Sequence, residues 1–284
     1  MIHSAAVTSL VLYLLATVLY LIQLWRPSRT GRLRGCATVC TKVGLVLHTL
    51  TALAVLASPE LFIQSNGADY FLWVSWLLSA VFVAFGRFFH YPLLGAWIVP
   101  AVVLFMGSSS YLLHRGSYSL VDNVQPAPEG GVIPLLHALP ALVALVSLVL
   151  AFVVSSTFLL VERRLKRRKA VVSLCEPGLS LQRLDLLNSH LIRIGFVAIS
   201  LVIVSGGLWA VSLRNTVFTL DSSVISGLLI WIMLGGITFV RFVANWSPRR
   251  VSKLTVLAAG SFITSLFVAL VLSGRTAHVA LKWW

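Results

Sequence analysis

The sequence predicts an all-α, polytopic membrane protein: a bundle of eight transmembrane helices with both termini on the outer side. Three observations carry that prediction. The 284-residue chain is 58% hydrophobic and only 11% charged, with a mean hydropathy of +0.96. Soluble domains carry roughly a quarter charged residues, and one core of this size leaves too much apolar surface facing water. Second, the apolar residues gather into eight runs at 5–25, 39–57, 70–86, 91–112, 132–160, 194–213, 224–243 and 254–272. At about 20 residues, a helix crosses a hydrocarbon core of roughly 30 Å. Third, the basic residues cluster on alternate connections, the distribution that orients membrane helices.

Each run is expected to be a helix, because lipid offers no partner to an unpaired backbone group. The first is followed rather than preceded by basic residues (Arg26, Arg29, Arg32, Arg34). That order argues against a cleaved signal peptide and places the amino terminus outside. The second run carries His48 in VGLVLHTLTALAV. The third is the shortest, divided from the fourth only by Arg87-Phe88-Phe89-His90. The outer connection HRGSYSLVDNVQPAPEGG has the Gly, Pro, Ser and Asn content of a flexible loop.

The fifth run ends in VERRLKRRK, which opens a long cytoplasmic connection. There Leu179, Leu181, Leu184, Leu186 and Leu187 alternate with polar residues and suit a short amphipathic piece lying at the interface. Of the 22 Lys and Arg residues, all but Arg115, Arg214, Arg275 and Lys282 then fall inside. Arg241 is expected to snorkel from the inner end of the seventh helix. The tail HVALKWW suits an interfacial anchor. The expected location is the bacterial cytoplasmic membrane, with residues 1–284 as one integral-membrane domain.

The formal charge of +14 is read as orientation and attraction to anionic lipid rather than nucleic-acid binding. No Walker loop, HExxH or nucleophile elbow is present, so no enzymatic activity is expected. The runs have no central carboxylate and no internal repeat, unlike most secondary transporters. Cys36 and Cys40 share one face of a helix start with no histidine nearby, a poor zinc site.

The histidines remain. His3 is terminal; His90 and His190 fall at the inner interface. His48 is the one ionisable group well inside the apolar layer. It is a functional candidate, or an imidazole hydrogen-bonded to a neighbouring helix. His137 (in IPLLHALPAL), His278 (in SGRTAHVALKWW) and His114 share the outer face. Such a residue can ligate a metal, carry a proton or satisfy a backbone group. Two imidazoles on one face suit haem iron, with Arg275 available to a propionate.

The sequence resembles the membrane cytochrome c assembly family, which includes the CcsA, CcmC and HemX groups. The likeness rests on VGLVLHTLTALAV, on IPLLHALPALVALVSLVLAFVVSSTFLLVERRLKRR, on LDLLNSHLIRIGFVAISLVIVSGGLWA with Gly195-Phe196 and Gly207-x-Trp209, and on SPRRVSKLTVLAAGSF. It implies haem as cofactor, His137 and His278 as external iron ligands, and His48 as a deeper haem position. Apocytochrome c or another maturation component is the implied partner. The connection SLRNTVFTLDSS contains Asp221 but no tryptophan, a departure from the family's Trp-rich WWD loop. That places the chain nearer the HemX and YpjD-like branch. There the implied alternative is a regulatory scaffold acting on haem biosynthesis, including glutamyl-tRNA reductase, through the basic cytoplasmic loop without binding haem.

Overall fold

A computed structural model describes residues 2–25, 30–57, 68–86, 92–116, 132–166, 180–214 and 222–273. Among them are eight helices and no strand: α1 (Ile2–Trp25), α2 (Thr30–Leu56), α3 (Ala68–Phe85), α4 (Pro92–Gly116), α5 (Val132–Lys166), α6 (Leu181–Arg214), α7 (Ser222–Phe242) and α8 (Pro248–Ser273). Five of the helices contain segments long and apolar enough to cross a bilayer, and Tyr70–Phe85 and Gly227–Phe242 are shorter apolar helices. The chain is a multi-pass membrane protein.

Helices α2 and α6 start well before their apolar runs. From Leu181 on, the leucine-rich stretch expected at the interface is the first part of α6 instead, and Leu179 lies outside the described residues. Ser180 caps it, its hydroxyl accepting from the Arg183 amide at 3.1 Å. Leu184, Asn188, Ser189, Leu191 and Ile192 are buried, because spacings of three and four put them on one face. Tertiary burial of that face, which periodicity alone does not reveal, makes this a bundle helix rather than a surface one.

The helices form two compact units. In the first, α1 packs against α2 and α4, and α3 against α4 and α2. Its centre is aromatic: Phe71 stacks on Phe105 at 5.9 Å, and Tyr20 meets Phe82 edge-on. Many hydroxyls bond back to the carbonyl four residues earlier, as Thr41 does to Ala37 and Thr49 to Leu45. Polar side chains in an apolar medium are thereby satisfied within their own helix.

In the second unit α5 to α8 enclose a core of Ala144, Leu148, Ala198, Ile199, Leu234 and Ala259. A second cluster, Ile192, Ile237, Val251 and Ala258, lies nearer one end. That end is tied by ion pairs. Arg241 on α7 bonds Asp185 and Ser189 on α6, and Arg249 on α8 approaches Glu162 on α5 at 3.4 Å. Arg241 therefore does not stand alone at the end of α7. Its side chain is only 16% exposed and is held by a carboxylate one helix away, an interaction that relieves the cost of burying the charge. The α7–α8 turn is equally defined. Asn245 takes φ 50°, which Asn tolerates, while Ser247 and Pro248 start α8 in the usual cap-then-proline order.

Candidate functional site

His137 lies near the start of α5, at the opposite end of the second unit from the ion pairs. The 25 positions between His137 and Glu162 span about 37 Å at 1.5 Å per residue. That exceeds the roughly 30 Å hydrocarbon core, so His137 and the ion pairs belong to opposite boundaries. Pro140 follows His137 closely and cannot donate to the carbonyl of Leu136, which loosens the helix there.

The ring of His137 rests on α6. Its Nδ1 is 3.3 Å from the Ser205 hydroxyl, and the Val202 carbonyl is also a partner. Ser205 already donates its own proton to the Leu201 carbonyl at 2.7 Å. Toward the imidazole it therefore acts as acceptor, and a carbonyl can only accept. The proton is assigned to Nδ1 and the lone pair to Nε2 on this hydrogen-bond logic. Metal-ligating histidines commonly have this arrangement, the distal N–H held by a backbone or hydroxyl oxygen.

Gly206 makes the approach possible. A Cβ there would stand 3.1 Å from Cε1 and 3.3 Å from Nδ1 of His137. Among the described residues no three His, Cys, Asp or Glu side chains converge on a metal site. By donor type, the imidazole of His137 is a residue that would hold haem iron.

His48 occupies a different setting, buried in the first unit. Tyr13 on α1 and Ser75 on α3 flank it, the phenol oxygen 3.5 Å from Nδ1 and the Ser75 hydroxyl 3.5 Å from Nε2. Ser75 spends its proton on the Leu72 carbonyl at 2.8 Å, and that carbonyl also faces the imidazole. Nε2 is thus the protonated nitrogen, and Nδ1 accepts from Tyr13. Gly44 leaves room for the tyrosine, whose ring would stand 3.1 Å from a Cβ at that position. One helical step from His48 and Ser75, Trp76 donates to Thr49 at 2.9 Å. The three helices are pinned in register around an imidazole whose two nitrogens both have neighbours.

His278 and Arg275 lie outside the described residues, as do Cys175, His90 and Asp221; the side chains of His114, Arg115 and Arg214 lie outside them as well. His137 and His48 are held in separate units. Sequence reading missed Ser205, Gly206, Tyr13 and Ser75. The Ser205-Gly206-Gly207 run was the available signal for the first pair. Nothing local marks Tyr13 or Ser75, because their role exists only once three helices meet.

A model of the cytochrome c assembly protein family matches residues 65–275. The match takes in α3 to α8 and contains His137 and Arg275; His48 and His278 lie beyond its ends. No curated protein and no solved structure matches the chain. With a match over well more than half of its length, on a polytopic helical frame, the chain belongs to the cytochrome c assembly protein family, and its role is in cytochrome c biogenesis.

Proposed function

We propose that this protein binds or relays haem at the outer membrane boundary, with His137 as an axial ligand through Nε2. The observation that carries the proposal is the seat of His137. Ser205 meets Nδ1 at 3.3 Å and the Val202 carbonyl is a further partner of the imidazole, so the ring is oriented against α6 as ligating histidines commonly are. Bound haem would supply the iron and the vinyl groups needed for cytochrome c maturation. The chain's own residues would hold it and set its orientation. His278, or His114 in its place, is the proposed second ligand, and Arg275 the proposed partner of a propionate. His48 serves as a second, deeper position only if Tyr13 or Ser75 moves aside, since both flank its ring. Both termini and the His137 boundary are assigned to the outer side of a bacterial cytoplasmic membrane by the positive-inside rule. Apocytochrome c or another maturation component is the proposed partner.

Oxidised and reduced absorption spectra of the detergent-purified protein, His137→Ala and His90→Ala test this. Wild type and His90→Ala should show a Soret band that is weaker in His137→Ala. Equal bands in all three would remove His137 as a ligand.

A second reading, the HemX-like scaffold, draws on the exposed Arg163, Arg164 and Lys166 that close α5. A protein in which no band appears even after haem is supplied would favour it. Its partner, glutamyl-tRNA reductase or another soluble protein, should then be lost from pull-downs when Arg163, Arg164, Arg167 and Arg168 are changed to Gln.

A further inference from the structure

At the ion-paired end of the second unit, the α7–α8 turn borders an open cleft of about 340 Å³ lined by Arg241, Phe242, Asn245 and Trp246. That volume falls at the small end of ligand sites, which run from roughly 300 to 1,000 Å³. The cations around it are placed rather than splayed. Arg241 uses Nε on Ser189 and one terminal nitrogen on Asp185. Its other terminal nitrogen has no protein partner among the described residues. Arg193 lies over the Phe242 ring, 5.1 Å from the centroid, and Arg250 over the Trp246 ring at 6.0 Å.

The neighbouring surface is apolar. Phe239 is 57% and Val243 64% exposed, on a protein whose solvent there is lipid. Locally, Arg193, Arg241, Arg249, Arg250 and Lys253 outnumber Asp185 and Glu162. An open cleft lined by Arg241 and by two aromatic rings that carry Arg193 and Arg250, at the end of a helix with Phe239 and Val243 exposed, suits a phosphodiester headgroup with acyl chains beside it.

We propose that the α7–α8 turn is a binding site for the headgroup of an anionic phospholipid. Arg241 and Arg250 receive the phosphate, Asn245 and Trp246 bound the headgroup, and the acyl chains lie along Phe239 and Val243. A soluble phosphate compound would meet the same cations. The apolar stripe has no use for it, which is why lipid is the occupant chosen. The site is independent of any haem bound at the far end of the unit.

The test is native mass spectrometry of the full chain released from micelles doped with phosphatidylglycerol or phosphatidylcholine. The wild type should retain phosphatidylglycerol in preference. Arg250→Gln and Trp246→Ala, which leave the Arg241–Asp185 pair intact, should each weaken that retention. For the lost charge the expected fall is about five-fold, since a basic residue at an anionic surface contributes about 1 kcal/mol. Arg164→Gln removes one exposed cation that neither lines the cleft nor stands over one of its rings, and should leave retention near wild type. Equal retention of the two lipids, an equal fall in Arg164→Gln, or displacement of phosphatidylglycerol by millimolar inorganic phosphate would each overturn the proposal.

Discussion

Replacing Gly206 by Ala probes the seat of His137 without touching the imidazole. The added Cβ would stand 3.1 Å from Cε1 and 3.3 Å from Nδ1, whereas carbon atoms in contact sit about 3.5–4.0 Å apart. The ring must retreat by about 0.4 Å or more. The Nδ1 to Ser205 distance is already 3.3 Å, so this retreat carries it past the range of a useful hydrogen bond. Loss of such an outer partner typically lowers metal affinity by about 10- to 100-fold. Gly206→Ala should fall near the lower figure and the bulkier Gly206→Val near the upper.

Fold stability should stay near wild type for the alanine variant. Exchanging Gly for Ala inside a helix contributes roughly 1 kcal/mol, which offsets the local crowding. The assay is haem titration of the detergent-purified protein followed by Soret absorbance, beside thermal unfolding by circular dichroism. Gly235→Ala is the control: its Cβ would meet Phe196 at the same 3.1 Å, away from His137. Wild-type haem affinity in both Gly206 variants would refute the reasoning. So would an equal loss in Gly235→Ala, since general crowding would then explain the effect.

Two further outcomes test the packing beneath the sites. Asp185→Asn should destabilise the protein by about 2 kcal/mol, below the roughly 3–5 kcal/mol for a fully buried pair because Arg241 can still reach the boundary. The double variant Asp185→Asn, Arg241→Met should recover much of that loss in thermal melts; strictly additive losses would show the two side chains are uncoupled. His48→Ala should cost about 2–4 kcal/mol, from the cavity and from two hydroxyls left without the imidazole. His48→Phe should restore only the packing share. A wild-type melt for His48→Ala would mean that the Tyr13–His48–Ser75 contacts do not hold the first unit together.

Composition and run length alone determined that the chain is helical and lives in a membrane. A segment of 20 apolar residues has one way to satisfy its backbone in lipid, so the position of each crossing is a local property. His137 stood out as a candidate for a similar reason: it is a lone imidazole in the second turn of VIPLLHALPAL. The start of α6 was not legible. The residues from Leu181 to Arg193 read equally well as a surface helix, and only the burial of Leu184, Asn188 and Ile192 makes them part of the bundle.

Arg241 read as a lone cation until Asp185, 56 positions earlier, was found beside it. The tautomer of His137 likewise depends on Ser205, 68 positions away. A hydrophobic period repeats every few residues and survives in the sequence. A hydrogen bond between helices depends on the rotation and depth of both, and these are decided only when the helices pack.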